Sequence, residues 1–183
     1  MARRATRRKP PADPADPAAA MEVAARFLGT RPRSRWEVER RLRRAEFGEP
    51  TIAATLRRLT ALGYLDDMAF ARWWAEQRDR HAPRGRRMIE VELRQHGVPR
   101  EVIEPFRDEH ALPERAAEDA HLPSTEDDRA REALARHLRG RPMPTERKAI
   151  QRVGMFLVRR GFDPDTVRSA LRSASNEPET DVS

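Results

Sequence analysis

VGMFLVRRGF, residues 153–162, repeats a pattern that occurs twice earlier in the chain. VERRLRRAEF at residues 38–47 aligns with IEVELRQHGV at residues 89–98 at a shift of 51 residues, and the latter aligns with residues 153–162 at a shift of 64. Self-similarity of this kind indicates a repeat architecture, here with three units. The aligned apolar columns are Val38, Ile89 and Val153; Leu42, Leu93 and Leu157; Phe47, Val98 and Phe162; and Ile52, Ile103 and Val167.

Helix signals on either side of each stretch complete a unit of three helices. Helices this short are marginal alone, so packing against neighbouring helices and units must stabilise them. The sequence therefore predicts an all-α protein of tandem three-helix repeats in three units. The helices that precede the three stretches share two further columns, which are Ala19, Phe70 and Leu134, and Val23, Trp74 and Leu138.

Capping signals mark the predicted helix ends. Ser34 followed by Glu37 predicts a capping box, in which each side chain accepts a hydrogen bond from a free backbone amide. Gly97 predicts a left-handed cap after the middle helix of the second unit. Asp163 followed by Pro164 predicts a helix start, with proline at the first helical position.

These signals divide the chain into six segments. Residues 1–17 are predicted to be a disordered basic, proline-rich arm, and residues 174–183 a disordered tail. Residues 107–125 are predicted to be a linker, because the longer of the two shifts places an insertion there. Pro105 predicts that the last helix of the second unit is short. The predicted repeats are residues 18–65, 66–106 and 126–173.

Composition and charge restrict the compartment and the partner. Apolar residues make up 38% of the 183 residues and charged residues 37%, so a core can form under a heavily charged surface. The absence of cysteine favours a reducing cytoplasm, and the apolar runs are too short to span a bilayer. The net charge is +7, and the two terminal segments cancel at +3 and −3. The basic body favours an acidic partner, with nucleic acid or a nucleoprotein ahead of a membrane.

The positive charge is almost entirely arginine, since Lys9 and Lys148 are the only lysines. A codon bias toward arginine and alanine explains this composition at least as well as phosphate recognition does. Composition alone therefore leaves both interpretations open.

Signatures of catalysis and of cofactor binding are absent from the sequence. There is no glycine-rich phosphate loop, and the five histidines are scattered without metal-ligand spacing. The acidic pairs Asp66-Asp67 and Asp127-Asp128 lie at predicted helix starts, where carboxylates stabilise the helix dipole. We therefore predict a protein that is not an enzyme and that needs no metal or cofactor.

One basic column survives the alignment of the repeats, and it is the candidate contact site. Its members lie at or just before the middle helix of each unit, where a cation near the positive end of the helix dipole is mildly unfavourable. Converging cations and backbone amides make such a place suitable for an anion. A solvated face remains the alternative. The column consists of Arg33, Arg84 and Lys148, reinforced by Arg35, Arg86 and Arg87.

A second basic cluster closes each middle helix, at Arg43-Arg44, Arg94 and Arg159-Arg160. Cations favour a helix C-terminus, so a structural role is the leading interpretation of this cluster. Trp73 and Trp74 could form a base-stacking platform, but the column of Trp74 favours packing in the core.

The chain resembles the RecX regulatory proteins, which modulate the bacterial recombinase RecA. Residues 62–71 carry the most specific part of the resemblance, LGYLDDMAFA, and the whole resemblance covers about residues 20–172. It also rests on Ser34, Glu37, Val38, Leu42, Gly85, Ile89, Leu93, Gly97 and residues 159–162.

The resemblance implies an elongated, curved array of helices without catalytic residues or cofactor. Family members bind the RecA–DNA filament along its groove and suppress ATP hydrolysis, strand exchange and coprotease activity. We therefore expect a cytoplasmic, monomeric regulator of DNA repair, recombination and the SOS response, with contact to single- or double-stranded DNA as a further possibility. The alternative is a direct DNA-binding protein of the helix-turn-helix kind, nonspecific or a transcription regulator.

Overall fold

A computed structural model describes residues 13–110 and 125–176 of the protein. Within these ranges the secondary structure consists of nine α-helices and includes no strand, which confirms the predicted all-α fold. The helices are α1 (Pro17–Leu28), α2 (Arg35–Arg43), α3 (Glu49–Ala61), α4 (Asp67–His81), α5 (Arg86–Gln95), α6 (Arg100–His110), α7 (Glu126–Leu138), α8 (Arg147–Arg159) and α9 (Pro164–Asn176).

The chain divides into two compact units, Met1–Phe70 and Ala71–Ser183, with the boundary inside α4. Unit 1 contains α1, α2 and α3, which pack pairwise around one apolar core. Unit 2 contains the rest of α4 and the helices α5 to α9. Its last three helices, α7, α8 and α9, also pack pairwise around a core of their own.

The aligned apolar columns are buried in all three repeats. The leucine column is completely inaccessible, with 0% exposure for Leu42, Leu93 and Leu157. The phenylalanine column follows, with Phe47, Val98 and Phe162 at 5%, 4% and 2%. These residues form the apolar cores because they recur on one helix face in each of the three repeats.

The predicted capping signals are present in the structure. Ser34 and Glu37 form a reciprocal capping box at the start of α2. Gly97 ends α5 with a φ of 71°, in the left-handed region that glycine adopts without strain. Asp163 accepts hydrogen bonds from the backbone amides of Asp165 and Thr166 at the start of α9.

The segments at the predicted boundaries differ in how far the structure describes them. Residues 1–12, 111–124 and 177–183 lie outside the described residues. Residues 13–17, assigned from sequence to the arm, form a turn and the first residue of α1, and the Gly48 amide donates to the Pro14 carbonyl at 2.9 Å. Helix α6 contains Pro105 and continues to His110, beyond the predicted repeat end at residue 106.

Two glycines bring the second and third repeats into backbone contact within unit 2. The Gly85 amide donates to the Arg160 carbonyl at 2.9 Å. A Cβ atom placed on Gly85 would lie 2.2 Å from the carbonyl carbon of Gly161, and one placed on Gly161 would lie 2.5 Å from the Met88 nitrogen. Both distances are far below van der Waals contact, so glycine is required at both positions.

A buried ion pair also joins the two repeats of unit 2. The Arg129 Nε of α7 donates to both carboxylate oxygens of Asp79 in α4, at 3.0 and 3.2 Å. The two side chains are only 6% and 7% exposed. Burial raises the pKa of Asp79 to about 6, against the opposing attraction of Arg129. The pair therefore positions the repeats while carrying a substantial desolvation penalty.

Candidate partner-binding site

The predicted contact residue Arg33 folds back onto its own repeat. Its Nη2 donates to the Thr30 hydroxyl at 2.9 Å, and its guanidinium lies 3.9 Å from the centre of the Phe27 ring. Glu37 is 3.9 Å away, and the side chain of Arg33 is only 16% exposed. Burial, and then repulsion by Arg31, lowers the pKa of Arg33. The guanidinium of Arg33 thus makes most of its contacts within its own repeat.

Arg84 occupies the corresponding place in the second repeat and is similarly engaged. Its Nε lies 3.3 Å from Glu92 Oε1, and its side chain is 28% exposed. Glu92 Oε2 accepts hydrogen bonds from Trp74 Nε1 at 2.8 Å and from Arg78 Nε at 2.7 Å. Glu92 therefore accepts hydrogen bonds from Trp74 and Arg78 and forms an ion pair with Arg84.

Arg35 and Arg86 occupy the first position of α2 and α5, and acids from later helices cap both. The Arg35 amide donates to Asp67 Oδ1 of α4 at 2.8 Å, and the Arg86 amide donates to Glu126 Oε1 of α7 at 2.8 Å. Burial raises the pKa of Asp67 and of Glu126, and these hydrogen bonds oppose the rise. The middle helices of the first two repeats, α2 and α5, are thus each capped by a carboxylate from the first residue of the helix that begins the next repeat, α4 and α7 respectively.

Arg87 and Lys148 are exposed, but the column does not converge on one point within unit 2. Arg84 precedes Gly85, which contacts Gly161 just beyond the C-terminal end of α8. Lys148 lies at the opposite end of α8, about 18 Å along the helix from Arg160. Arg33 and Arg35 belong to unit 1. A partner role for the six residues stays a prediction.

The structure brings together basic residues along α8, of which sequence analysis selected only Lys148 as a contact residue. Two adjoining cavities of about 710 and 370 Å³ share His137 and Phe156 in their walls. We call this concavity the α8 groove. No carboxylate lies among its lining residues within the described part of the chain. Its basic lining residues are Arg136, Arg139, Arg141, Lys148, Arg152, Arg159 and Arg160, with His81 and His137.

An aromatic stack lies where the two cavities meet. The His137 imidazole stacks on Phe156, with 3.9 Å between ring centres and 18° between ring planes. The Arg160 guanidinium lies 4.7 Å from the centre of the same phenylalanine ring and donates to the Pro83 carbonyl at 3.0 Å. Burial, and then repulsion by Arg84 and Arg136, lowers the pKa of Arg160. The groove thus combines a dense positive field with an ordered ring stack.

The sequence contained a signal for this groove. Arg136, His137, Arg139 and Arg141 fall within six consecutive residues, RHLRGR, that span the C-terminal end of the first helix of the third repeat, α7. Cations at a helix C-terminus are explained by the helix dipole, which was the interpretation given to Arg159 and Arg160, so this segment alone does not indicate a ligand. Only the packing of α7 against α8 shows that the two clusters line one concavity.

Arg139 sits in strained backbone at the edge of the groove. Its φ of 53° and ψ of 46° are left-handed, and Gly140 follows with a φ of 75°. Arg139→Gly is expected to raise the free energy of unfolding by about 0.5–1 kcal/mol, because glycine adopts this conformation without a steric penalty. Thermal and urea unfolding measure the change. Arg141→Gly is the matched control, since its φ is not positive; an equal gain there would contradict the explanation.

Two classes of site find no support in the described residues. No group of three or more metal-ligating side chains comes together there. No described helix is long and apolar enough to cross a membrane.

Comparison with known proteins identifies the same three three-helix repeats. Family models described as RecX first, second and third three-helix domains match residues 20–59, 66–104 and 125–171. The crystal structure of RecX from Lactobacillus salivarius superposes with a TM-score of 0.67 at 18% identity, covering 86% of this chain and 96% of that one. At this identity the superposition supports the fold alone.

Sequence relatives extend over most of the chain. The regulatory protein RecX of Prosthecochloris aestuarii is 32% identical over 154 residues, which cover 83% of this chain and 91% of that protein. The regulatory protein RecX of Thermobifida fusca is 36% identical over 148 residues, covering 79% and 72%. With three matching repeats and relatives of this similarity, the chain belongs to the RecX family of regulatory proteins.

Proposed function

We propose that this protein binds the nucleoprotein filament of the RecA recombinase and lowers its ATP hydrolysis, strand exchange and coprotease activities. The observation that carries the proposal is the match to RecX in all three repeats, in their order along the chain. Such a role would lie in DNA repair, recombination and the SOS response, in the cytoplasm, and would need no catalytic residue or cofactor.

The charge of the chain supports this proposal. A body with a net charge of +7 favours association with a polyanionic nucleoprotein. Three tandem repeats can also present several small contact surfaces to a partner that is itself a repeating polymer. The proposed contacts are the exposed members of the basic column, Arg35, Arg87 and Lys148, with Arg33, Arg84 and Arg86 in supporting positions.

Addition of the protein is expected to lower the rate of DNA-dependent ATP hydrolysis by the cognate recombinase. Replacing Arg35, Arg87 and Lys148 together with alanine should weaken the inhibition on the order of tenfold, because each exposed charge contributes modestly to association. A coupled ATPase assay, with circular dichroism to verify helicity, measures the effect. Arg84 is spared because truncating it would disturb Glu92.

A matched variant removes the same charge elsewhere. Arg41, Arg57 and Arg172 are also exposed and line neither the basic column nor the α8 groove. Their triple alanine variant should retain most of the inhibition. Unchanged hydrolysis at saturating wild-type protein would refute the proposed function, and a sequence-selective footprint on duplex DNA at physiological salt would favour the transcription-regulator alternative.

A further inference from the structure

We propose that the α8 groove is a binding site for single-stranded nucleic acid, with phosphates on its arginines and an unpaired base on the His137–Phe156 stack. This inference goes beyond the proposed function, because binding at the groove requires no recombinase. It rests on three observations: the convergence of cations, the ring stack between the two cavities, and the length and volume of the concavity.

The convergence of cations has no compensation among the residues that line the groove. Arg139, Arg141, Lys148, Arg152 and Arg159 are exposed. Arg136 is paired with Glu132 at 2.6 Å, so one lining arginine is partly neutralised. The remaining like charges repel one another, and a polyanion placed between them would relieve that repulsion.

Arg160 shows that part of this charge is held in place. Its guanidinium is tied to the Pro83 carbonyl and packed near Phe156. Burial, and then repulsion by the like-charged Arg84 and Arg136, lowers the pKa of Arg160. A partly buried cation surrounded by cations is suited to a bound phosphate, which offers several acceptor oxygens to planar guanidinium groups.

The ring stack distinguishes a nucleic acid from other polyanions. His137 is exposed and already lies flat on Phe156, so its outer face can receive another flat ring. Bases stack on aromatic side chains in sites that combine such rings with a basic groove. An acidic peptide could form ion pairs with the cations, but its acidic side chains have no ring to stack on His137.

The dimensions favour a single strand over a duplex. The groove follows α8, whose 13 residues extend about 20 Å, and its two cavities measure about 710 and 370 Å³. A duplex keeps its bases paired and stacked inside and would offer no free ring face to His137. An unpaired strand can lay its phosphates along the arginines and turn a base onto the imidazole.

Binding of a fluorescein-labelled oligothymidylate to the full chain, without recombinase, tests the inference by fluorescence anisotropy. Replacing Arg141, Arg152 and Arg159 with alanine should weaken binding about tenfold or more at about 100 mM salt, and should lower the slope of log affinity against log salt by about 2. The triple alanine variant at Arg41, Arg57 and Arg172 loses the same charge outside the groove and should bind nearly as well as wild type.

A second measurement reports the stack directly. An oligonucleotide that contains 2-aminopurine should lose fluorescence on binding, because the fluorescent base stacks on His137. His137→Ala should abolish this quenching while the arginines still hold the strand, and His137→Phe should restore it. Neither substitution alters a buried residue, since His137 is exposed.

Several results would overturn the inference. Equal binding by the groove variant and its matched control would mean that net charge alone attracts the strand. Tighter binding of duplex DNA or of polyglutamate than of the single strand at equal salt would assign the groove to another partner. If the wild-type protein binds the single strand but leaves ATP hydrolysis by the recombinase unchanged, only the proposed function is refuted, so the two proposals can fail separately.

Discussion

Gly161→Ala is expected to lower the free energy of unfolding of unit 2 by about 2–5 kcal/mol. The new Cβ would lie 2.5 Å from the Met88 nitrogen and 2.6 Å from the Met88 Cβ, so the backbone of α5 would have to move. Overpacking of this kind typically costs about 1–3 kcal/mol. The φ of 89° adds a further penalty of about 1–2 kcal/mol for any residue with a side chain.

Gly140→Ala is the matched control for this substitution. Gly140 has a φ of 75°, and nothing lies within 4 Å of a Cβ placed there. It should therefore show only the backbone penalty, about 1–2 kcal/mol. Urea unfolding followed by circular dichroism compares the two variants. Equal losses would show that the close approach of Gly161 to Met88 contributes nothing to stability.

The repeat architecture could be predicted because its signal is local and periodic. The columns of Val38, Leu42 and Phe47 recur in each unit, and a helix face is defined by residues three or four apart. Capping signals are equally short in range, which explains why the Ser34–Glu37 capping box and the Gly97 cap were predicted correctly. None of these arguments requires knowledge of how one repeat packs against another.

The contact between Gly85 and Gly161 could not be predicted by such arguments. Each glycine has a sufficient local explanation, one before a helix and one after a helix, and they are 76 residues apart in the chain. Only tertiary packing reveals that both are required by the same close approach. A glycine that caps a helix and one that admits a neighbouring backbone look the same in sequence.

The partners of charged side chains are even harder to predict from local sequence than the contacts of glycines. Arg33 and Arg84 recur at one repeat position, which favoured a shared external ligand, yet each lies beside a glutamate of its own repeat. Asp67 was predicted to stabilise the dipole of its own helix, yet it also caps the preceding middle helix, α2. Glu126, which sequence analysis did not single out, caps α5 in the same way. Long side chains can reach partners several ångströms away, so the position of a residue in the sequence constrains its ion-pair and hydrogen-bond partners only weakly.

The α8 groove could not be predicted for a similar reason: several of its basic residues have a local explanation. Cations at a helix C-terminus need no ligand to explain them, and that explanation is sufficient for each of Arg136, Arg159 and Arg160 taken singly. Their convergence on one concavity is a property of the assembled helices. A basic residue with an adequate local role can therefore still contribute to a binding surface.

The buried ion pair between Asp79 and Arg129 gives the other large expected effect. Arg129→Met should lower the free energy of unfolding of unit 2 by about 3–5 kcal/mol near pH 8, because it leaves the Asp79 carboxylate buried without its cation. The loss should be smaller at about pH 5, where protonation removes the buried charge. Urea unfolding at the two pH values measures both quantities.

In the wild-type protein, this ion pair makes the free energy of unfolding decrease as the pH rises. Burial raises the folded-state pKa of Asp79 to about 6, from an ordinary value of 3.8. The protonated form therefore adds stability that is fully present below about pH 4 and is lost as the pH rises through about 6. From the difference in pKa, the loss amounts to at most about 3 kcal/mol.

Adding Asp79→Leu to Arg129→Met should restore most of the stability near pH 8, because two apolar side chains of similar size remove both buried charges. The double variant should also lose the part of the pH dependence between about pH 4 and pH 6 that Asp79 causes. Glu126 keeps its hydrogen bond from the Arg86 amide in this variant, so the cap of α5 remains. A double variant no more stable than Arg129→Met alone, or a single variant equally unstable at both pH values, would contradict the assignment of the penalty to an uncompensated Asp79 carboxylate.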